Sequence, residues 1–213
     1  MQFLYLHGFA SGPRSTKGVA FEKHFETRGR MIEHSFERLN LRVPSFEHLR
    51  LSAMIATVQA AIGERAILIG SSLGGLTASR VAERDPRVAA LVLMAPAFQL
   101  AARWRTMLGP DFDTWQQSGW REVTDFTTGQ PARVDFGFYE DVSGIDVGFP
   151  DVRVPTLILH GTGDDVVPVS HSRAFAAGKS HVRVVELDDN HELVSSLPTI
   201  LAETDAFLDG LHS

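Results

Sequence analysis

Apolar residues in this chain fall into short continuous runs. Between them lie stretches in which apolar positions recur every three or four residues, the two periods expected of buried strands and amphipathic helices. The first run is Phe3-Leu4-Tyr5-Leu6, ending at His7-Gly8, and residues 66–69, 88–94, 156–159 and 182–187 read as further strands. Residues 31–36 give a fainter strand pattern. Helical spacing appears over 16–27, with Val19, Phe21 and Phe25 near one side and Gly29 as a stop, and over 49–62, with Leu49, Ala53, Ala56 and Ala60 in register and Gly63 just beyond. Residues 73–84, 170–177 and 198–208 complete the helices, Pro198 suiting the first turn of the last one.

Strands without polar alternation, separated by helices, predict an α/β fold: a mostly parallel sheet covered on both faces. Ligands of such sheets bind beyond the carboxyl ends of the strands. His7, Ser72, Asp164 and His191 all fall just after expected strands.

Residues 98–153 break the alternation. They hold Trp104, Trp115 and Trp120 and, with Phe98, Phe112, Phe126, Phe136, Phe138, Tyr139 and Phe149, 10 of the 19 aromatics of the chain. A short helix at 111–118 and a hairpin of 120–126 with 133–139 are expected there. The segment reads as a lid inserted within one domain spanning 1–213. Its aromatics either form the lid's own core or offer Trp104, Trp115 and Trp120 to an apolar substrate group.

Composition narrows the function classes. The chain of 213 residues is 44% hydrophobic and 22% charged, which suits one globular domain with a sizeable core. A formal net charge of −6 without a Lys/Arg cluster argues against a nucleic-acid partner. The absence of cysteine removes disulfides, thiol nucleophiles and thiolate metal sites. The opening MQFLYLHGF lacks a basic leader pattern, and no run approaches the ~18 apolar residues of a membrane span. A cytoplasmic location is the default expectation.

The pattern G-x-S-x-G occurs as Gly70-Ser71-Ser72-Leu73-Gly74. A nucleophile on a sharp strand-to-helix turn needs small neighbours, and the following helix N-terminus favours developing negative charge at the hydroxyl. The spacing selects Ser72 and leaves Ser71 a structural part of the turn. No G-x-G-x-x-G and no P-loop lysine competes for the same glycines.

A serine needs a base. His160-Gly161-Thr162-Gly163-Asp164-Asp165 follows one strand and Asp189-Asn190-His191 follows the last. The order Ser72, Asp164, His191 is that of the serine–acid–histidine set on this type of sheet. His191 would take and return the proton, and Asp164 would orient it, with the adjacent Asp165 as the alternative acid. His7 reads as bracing its loop, His34 and His160 as structural or solvent-facing, and Asp188 and Asp189 as shaping the histidine loop. For an oxyanion, the expected donors are the N–H groups of Leu73 and of Phe9 in the loop Leu6-His7-Gly8-Phe9.

The stretches LHGF, GSSLGG, HGTGDDVVP and DNH, in this order, resemble the α/β-hydrolase superfamily over essentially everything outside 98–153. YLHGFASGPRSTKG with GSSLGG is most similar to small serine esterases and thioesterases, among them YqiA-type esterases and acyl-protein thioesterase and acyl-glucuronide esterase relatives. The resemblance implies Ser72, Asp164 and His191 as a triad, no metal and no cofactor. It also implies a sheet of about six strands, since there is no room for the two strands that commonly precede the HG strand. The expected activity is hydrolysis of a carboxylic ester or thioester of a small-molecule or acyl substrate. The alternatives are an amidase or peptidase, or a non-catalytic ligand receptor on the same fold.

Overall fold

The computed structural model describes residues 1–32 and 34–211. Residue 33, within the expected 31–36 strand, and residues 212–213 lie outside the described residues. The strands are β1 (Gln2–Leu6), β2 (Ser35–Leu39), β3 (Ala66–Ser71), β4 (Val88–Met94), β5 (Trp120–Asp125), β6 (Gln130–Asp135), β7 (Thr156–Gly161) and β8 (Val182–Leu187). The helices are α1 (Thr16–Thr27), α2 (Leu51–Ala61), α3 (Leu73–Ala82), α4 (Leu100–Leu108), α5 (Pro110–Ser118), α6 (Gly137–Ile145), α7 (Val169–Ala176) and α8 (Leu197–Gly210).

Six strands form one parallel sheet in the order β2-β1-β3-β4-β7-β8. The sheet separates two apolar layers, which explains the unbroken runs in its central strands. Leu4 and Leu6 of β1, Leu68 of β3 and Leu91 and Leu93 of β4 pack on one face, with α2 and α3. Phe3 and Tyr5, Ile67 and Ile69, and Val92 and Met94 pack on the other, against Phe21 and Phe25 of α1 and Ile200 and Leu208 of α8. Both faces of each central strand leave water, so successive residues must all be apolar.

The edge strands differ. β2 buries only Phe36 and Leu39, and it begins at Ser35 after a 3₁₀ turn at Arg30–Ile32, not at residue 31. With a neighbour on one side only, it needs no continuous apolar run, which is why its pattern is faint in the sequence.

β1 is followed by β2 on one side and adjoins β3 on the other. Chain direction across the sheet therefore reverses at β1/β3, and the loops leaving these two strands open a crevice at their carboxyl ends.

Residues 98–153 hold α4, α5, the antiparallel hairpin β5–β6 and α6. The second hairpin strand starts at Gln130, three residues before the expected 133, so the turn is tighter than the sequence suggests. α6 was not expected: its sequence GFYEDVSGI carries two glycines and a β-branched valine, poor helix formers. Tertiary contacts make it helical. Phe138 and Val142 are fully buried. Asp141 accepts from the Ser52 N–H and hydroxyl at 2.8 and 2.6 Å, capping α2, which has no cap of its own.

The aromatics of this insertion pack mainly on one another. Trp104 and Trp115 meet edge to face at 5.4 Å, Trp104 meets Phe138 at 5.2 Å, and Phe112 meets Tyr139 at 4.7 Å. They join the apolar layer of α2 and α3, so the insertion is rooted in the main core. Among the described residues, no helix is long and apolar enough to cross a membrane.

Candidate active site

β3 ends in a sharp turn into α3, and Ser72 stands at its apex with φ 53° and ψ −115°. This left-handed backbone is strained for a residue with a side chain, at a cost of about 1–3 kcal/mol. Surrounding bonds hold it. The Ser72 N–H donates to Met94 O at 2.9 Å, and Ser72 O accepts from the N–H groups of Gly75, Leu76 and Ala97 at 2.9, 3.1 and 3.0 Å. The two motif glycines permit the turn. A Cβ on Gly70 would sit 2.5 Å from Gly74 O, and one on Gly74 would sit 2.1 Å from Leu6 O and 2.7 Å from His7 O. Both obstacles are backbone and cannot swing aside.

His191 Nε2 lies 3.0 Å from Ser72 Oγ, and its Nδ1 lies 2.7 Å from Asp164 Oδ2. Because Nδ1 faces a carboxylate, the hydrogen-bond pattern puts the proton on Nδ1 and leaves Nε2 free to accept the Ser72 hydroxyl. The Asp164 side chain is wholly buried. Its Oδ1 accepts the N–H groups of Val166 and Val167 at 2.9 and 2.7 Å. Burial works against the charged form, but hydrogen bonds from His160, His191 and Val167 outweigh it and hold the carboxyl well below the usual carboxylate range. Asp165, the alternative acid, is exposed on the wall of the cleft.

Three further residues support this line. His160 is fully buried, with Nε2 2.8 Å from Val167 O and 3.2 Å from Asp164 Oδ2, and Nδ1 2.7 Å from Ser172 Oγ. Two oxygens that only accept face Nε2, so that nitrogen carries the proton and Ser172 donates to Nδ1. Asp189 shapes the histidine loop by accepting from the N–H groups of Asn190 and Ser196, both at 2.8 Å. Lys17, on α1, reaches across to donate to Glu192 O at 2.6 Å, next to His191. Burial lowers its pKa although carboxylates lie nearby.

The loop after β1 passes directly over the serine. A Cβ on Gly8 would lie 3.4 Å from both Ser71 O and Ser72 Cβ. His7 braces this loop. Its Nε2 accepts the Leu41 N–H at 3.0 Å, so Nδ1 carries the proton and donates to Gly8 O at 2.9 Å. Burial pushes its pKa down to about 4, with the Arg42 charge adding to the effect. Phe9 follows in this loop and stacks on Phe138 at 5.6 Å. Leu73 is the first residue of α3, where an N–H has no acceptor within the helix.

Ser72 and His191 open into a cleft of about 680 Å³. Its walls include Phe9, Phe126, Val166 and Val194, together with Arg14, Lys17, Asp165 and Glu192. Trp104, Trp115 and Trp120, which the sequence offers either to the lid's core or to an apolar substrate group, are not among its walls. Trp104 and Trp115 are only 4% and 2% exposed, buried in the aromatic cluster that joins the main core. The Arg133 guanidinium lies over Trp120, with Cζ 4.1 Å from the ring centroid. The insertion's aromatic at the cleft is Phe126, one of ten noted in that segment and not singled out by its sequence context. Among the described residues, no three His, Asp or Glu side chains converge as metal ligands.

Known proteins of similar shape share this architecture. Mouse alpha/beta hydrolase domain-containing protein 10 superposes with a TM-score of 0.81 at 20% identity, covering 99% of this chain and 90% of that one. Est1E from Butyrivibrio proteoclasticus superposes with a TM-score of 0.77 at 20% identity, covering 99% of this chain and 87% of its own. In sequence, the chain is 24% identical over 189 residues to the "Putative esterase/lipase 3" of Mycoplasma pneumoniae, covering 76% of this chain and 68% of that protein. The fold is therefore that of the α/β hydrolases, as the order of motifs implied. The family profile of UPF0227, described as an uncharacterised protein family, matches residues 2–203, and the chain belongs to that family.

Proposed function

We propose that the protein is a serine hydrolase that cleaves a carboxylic ester or thioester through an acyl-enzyme on Ser72. The observation that carries this reading is the continuous line Ser72 Oγ–His191–Asp164, with spacings of 3.0 and 2.7 Å, set at a strained turn that opens into a cleft. The esterase/lipase name of the Mycoplasma relative agrees with it.

The steps follow from the groups present. His191 Nε2 takes the hydroxyl proton as Ser72 Oγ attacks the carbonyl carbon. Asp164 holds the imidazole in the required tautomer and balances its positive charge. The carbonyl oxygen becomes an oxyanion, for which the N–H groups of Leu73 and Phe9 are the candidate donors. Collapse expels the alcohol or thiol, which receives its proton from His191. A water then repeats the sequence on the acyl-enzyme, releasing the acid and restoring Ser72. The cleft walls Phe9, Phe126, Val166 and Val194 favour an apolar acyl or aryl group.

A fluorophosphonate probe tests the assignment. Labelling should map to Ser72, and Ser72→Ala should abolish both labelling and turnover of p-nitrophenyl esters and acyl thioesters. Folded protein that takes no label and hydrolyses none of these would refute the reading. Turnover of amides at rates matching the esters would favour an amidase.

A further inference from the structure

Phe126 sits at the tip of the β5–β6 hairpin, 70% exposed, yet it forms part of the cleft wall that holds Ser72. Val166 and Val194, 41% and 49% exposed, line the same cleft. Three exposed apolar side chains around one opening present a surface that water covers at a cost and that an apolar ligand would cover at a gain.

The hairpin tip is tied down firmly. The Phe126 N–H donates to Ala10 O at 2.9 Å, which joins the tip to the residue directly after Phe9. Arg42, in the segment after β2, completes the tie with one guanidinium. Its Nη1 and Nη2 grip the two Asp125 carboxylate oxygens at 3.0 and 2.6 Å, its Nε donates to Ser11 O at 2.8 Å, and Nη2 also reaches Thr127 Oγ1. Phe46 covers the guanidinium at 4.8 Å. The hydrogen bonds to Arg42 lower the Asp125 carboxyl to about 2, so the pair stays charged through the neutral range. A fork of this geometry fixes both partners in orientation as well as distance. The loop carrying Phe9 and the tip carrying Phe126 are therefore held as one unit, and Ala10 accepts its place there with a strained φ of 55°.

We propose that Phe126 is the specificity-determining residue for the apolar group of the substrate, and that Arg42 is a positioning residue that sets Phe126 and the Phe9 N–H together over Ser72. The proposal rests on the reading of Ser72 as the nucleophile and adds which side chains choose among its substrates.

The test compares acetyl and hexanoyl p-nitrophenyl esters, and measures binding of heptan-2-one, an uncharged isostere of the hexanoyl group, by NMR titration. Phe126→Ala should lower the hexanoyl-to-acetyl ratio of kcat/KM about tenfold, chiefly through KM, and weaken heptan-2-one binding to a similar degree. Phe126→Leu should restore most of both. Arg42→Met should lose the same selectivity and also lower kcat for both esters roughly 10- to 100-fold, because the oxyanion donor shifts with the loop. Arg42→Lys, keeping charge but not the fork, should fall between. An unchanged ester ratio in Phe126→Ala overturns the proposal, as does an Arg42→Met protein with a lowered Tm but parental kcat and ratio. Parent protein that binds heptan-2-one through Phe126 yet hydrolyses no ester would instead overturn the hydrolase reading and leave Phe126 as a ligand-selecting residue.

Discussion

Asp164→Asn separates the orienting carboxylate from every other part of the site by one atom. The Oδ1 position faces the N–H groups of Val166 and Val167 at 2.9 and 2.7 Å, so the amide oxygen must stay there. The amide NH₂ is then forced into the Oδ2 position, 2.7 Å from His191 Nδ1 and 3.2 Å from His160 Nε2. Two N–H groups cannot face each other at the shorter distance. His191 relieves the conflict by moving its proton to Nε2, the atom 3.0 Å from Ser72 Oγ. That nitrogen can no longer take the serine proton. The loss expected for a wrong tautomer is on the order of 10⁴ in kcat, about 5 kcal/mol of transition-state stabilisation at 1.36 kcal/mol per tenfold. The assay is steady-state hydrolysis of a p-nitrophenyl ester at pH 7, with thermal unfolding recorded on the same samples. Asp165→Asn serves as the control: its carboxylate is exposed, so kcat should stay within about threefold of the parent. A folded Asp164→Asn protein that keeps more than a tenth of parental kcat would refute the tautomer argument. A collapse in Asp165→Asn instead would move the acid by one residue.

Other perturbations bear on the scaffold around the relay. Gly74→Ala drives a Cβ to 2.1 Å from Leu6 O, and chemical denaturation should show a loss of more than about 4 kcal/mol; a loss under 1 kcal/mol would mean the elbow relaxes freely. His160→Leu removes the buried donor to Asp164 and Val167 O, and kcat should fall about tenfold with little change in KM; parental kcat would confine His160 to packing. His7 ordinarily titrates near 6.5 but does so at about 4 in the folded chain, so the unfolded chain takes up its proton first as pH falls. Its contribution is complete above about pH 6.5 and is lost between 6.5 and 4, by at most about 3 kcal/mol. His7→Gln, which keeps an acceptor for the Leu41 N–H, should flatten that slope in urea unfolding curves across the window, and an unchanged slope would show that His7 is not its source.

Much of the fold was legible because its causes are local. The central strands must be apolar on both faces, so β3, β4 and β7 stand out as runs, and the glycines at 70 and 74 announce a turn that only small residues survive. Ser72, Asp164 and His191 could be nominated because each follows a strand in a recognisable order, and the structure brings the three into one hydrogen-bonded line. What escaped was decided by partners far along the chain. α6 has weak intrinsic helix propensity and owes its form to burial against α2 and α4 and to the bonds that Asp141 accepts from Ser52, 89 residues away. Lys17 meets Glu192 across 175 residues, with no periodicity or motif to mark the pair.

The insertion shows how composition can draw attention to side chains that the fold then buries. Tryptophan concentrates there, and large aromatics suit an apolar ligand, so Trp104 and Trp115 were natural candidates. The same size makes them the most rewarding residues to bury, and an insertion of three short helices and a hairpin needs a core of its own. Burial of the larger rings there leaves the cleft wall to a residue whose place is fixed by its backbone. Phe126 has that property: its N–H is bonded to Ala10 O, and its neighbour Asp125 is gripped by Arg42 across 83 residues. Neither bond leaves a trace in hydropathy, since one is main chain to main chain and the other joins two isolated charges. Contact and anchor are thus separate: the exposed Phe126 side chain lines the cleft, and the bonds to Ala10 and between Asp125 and Arg42 hold the backbone that carries it.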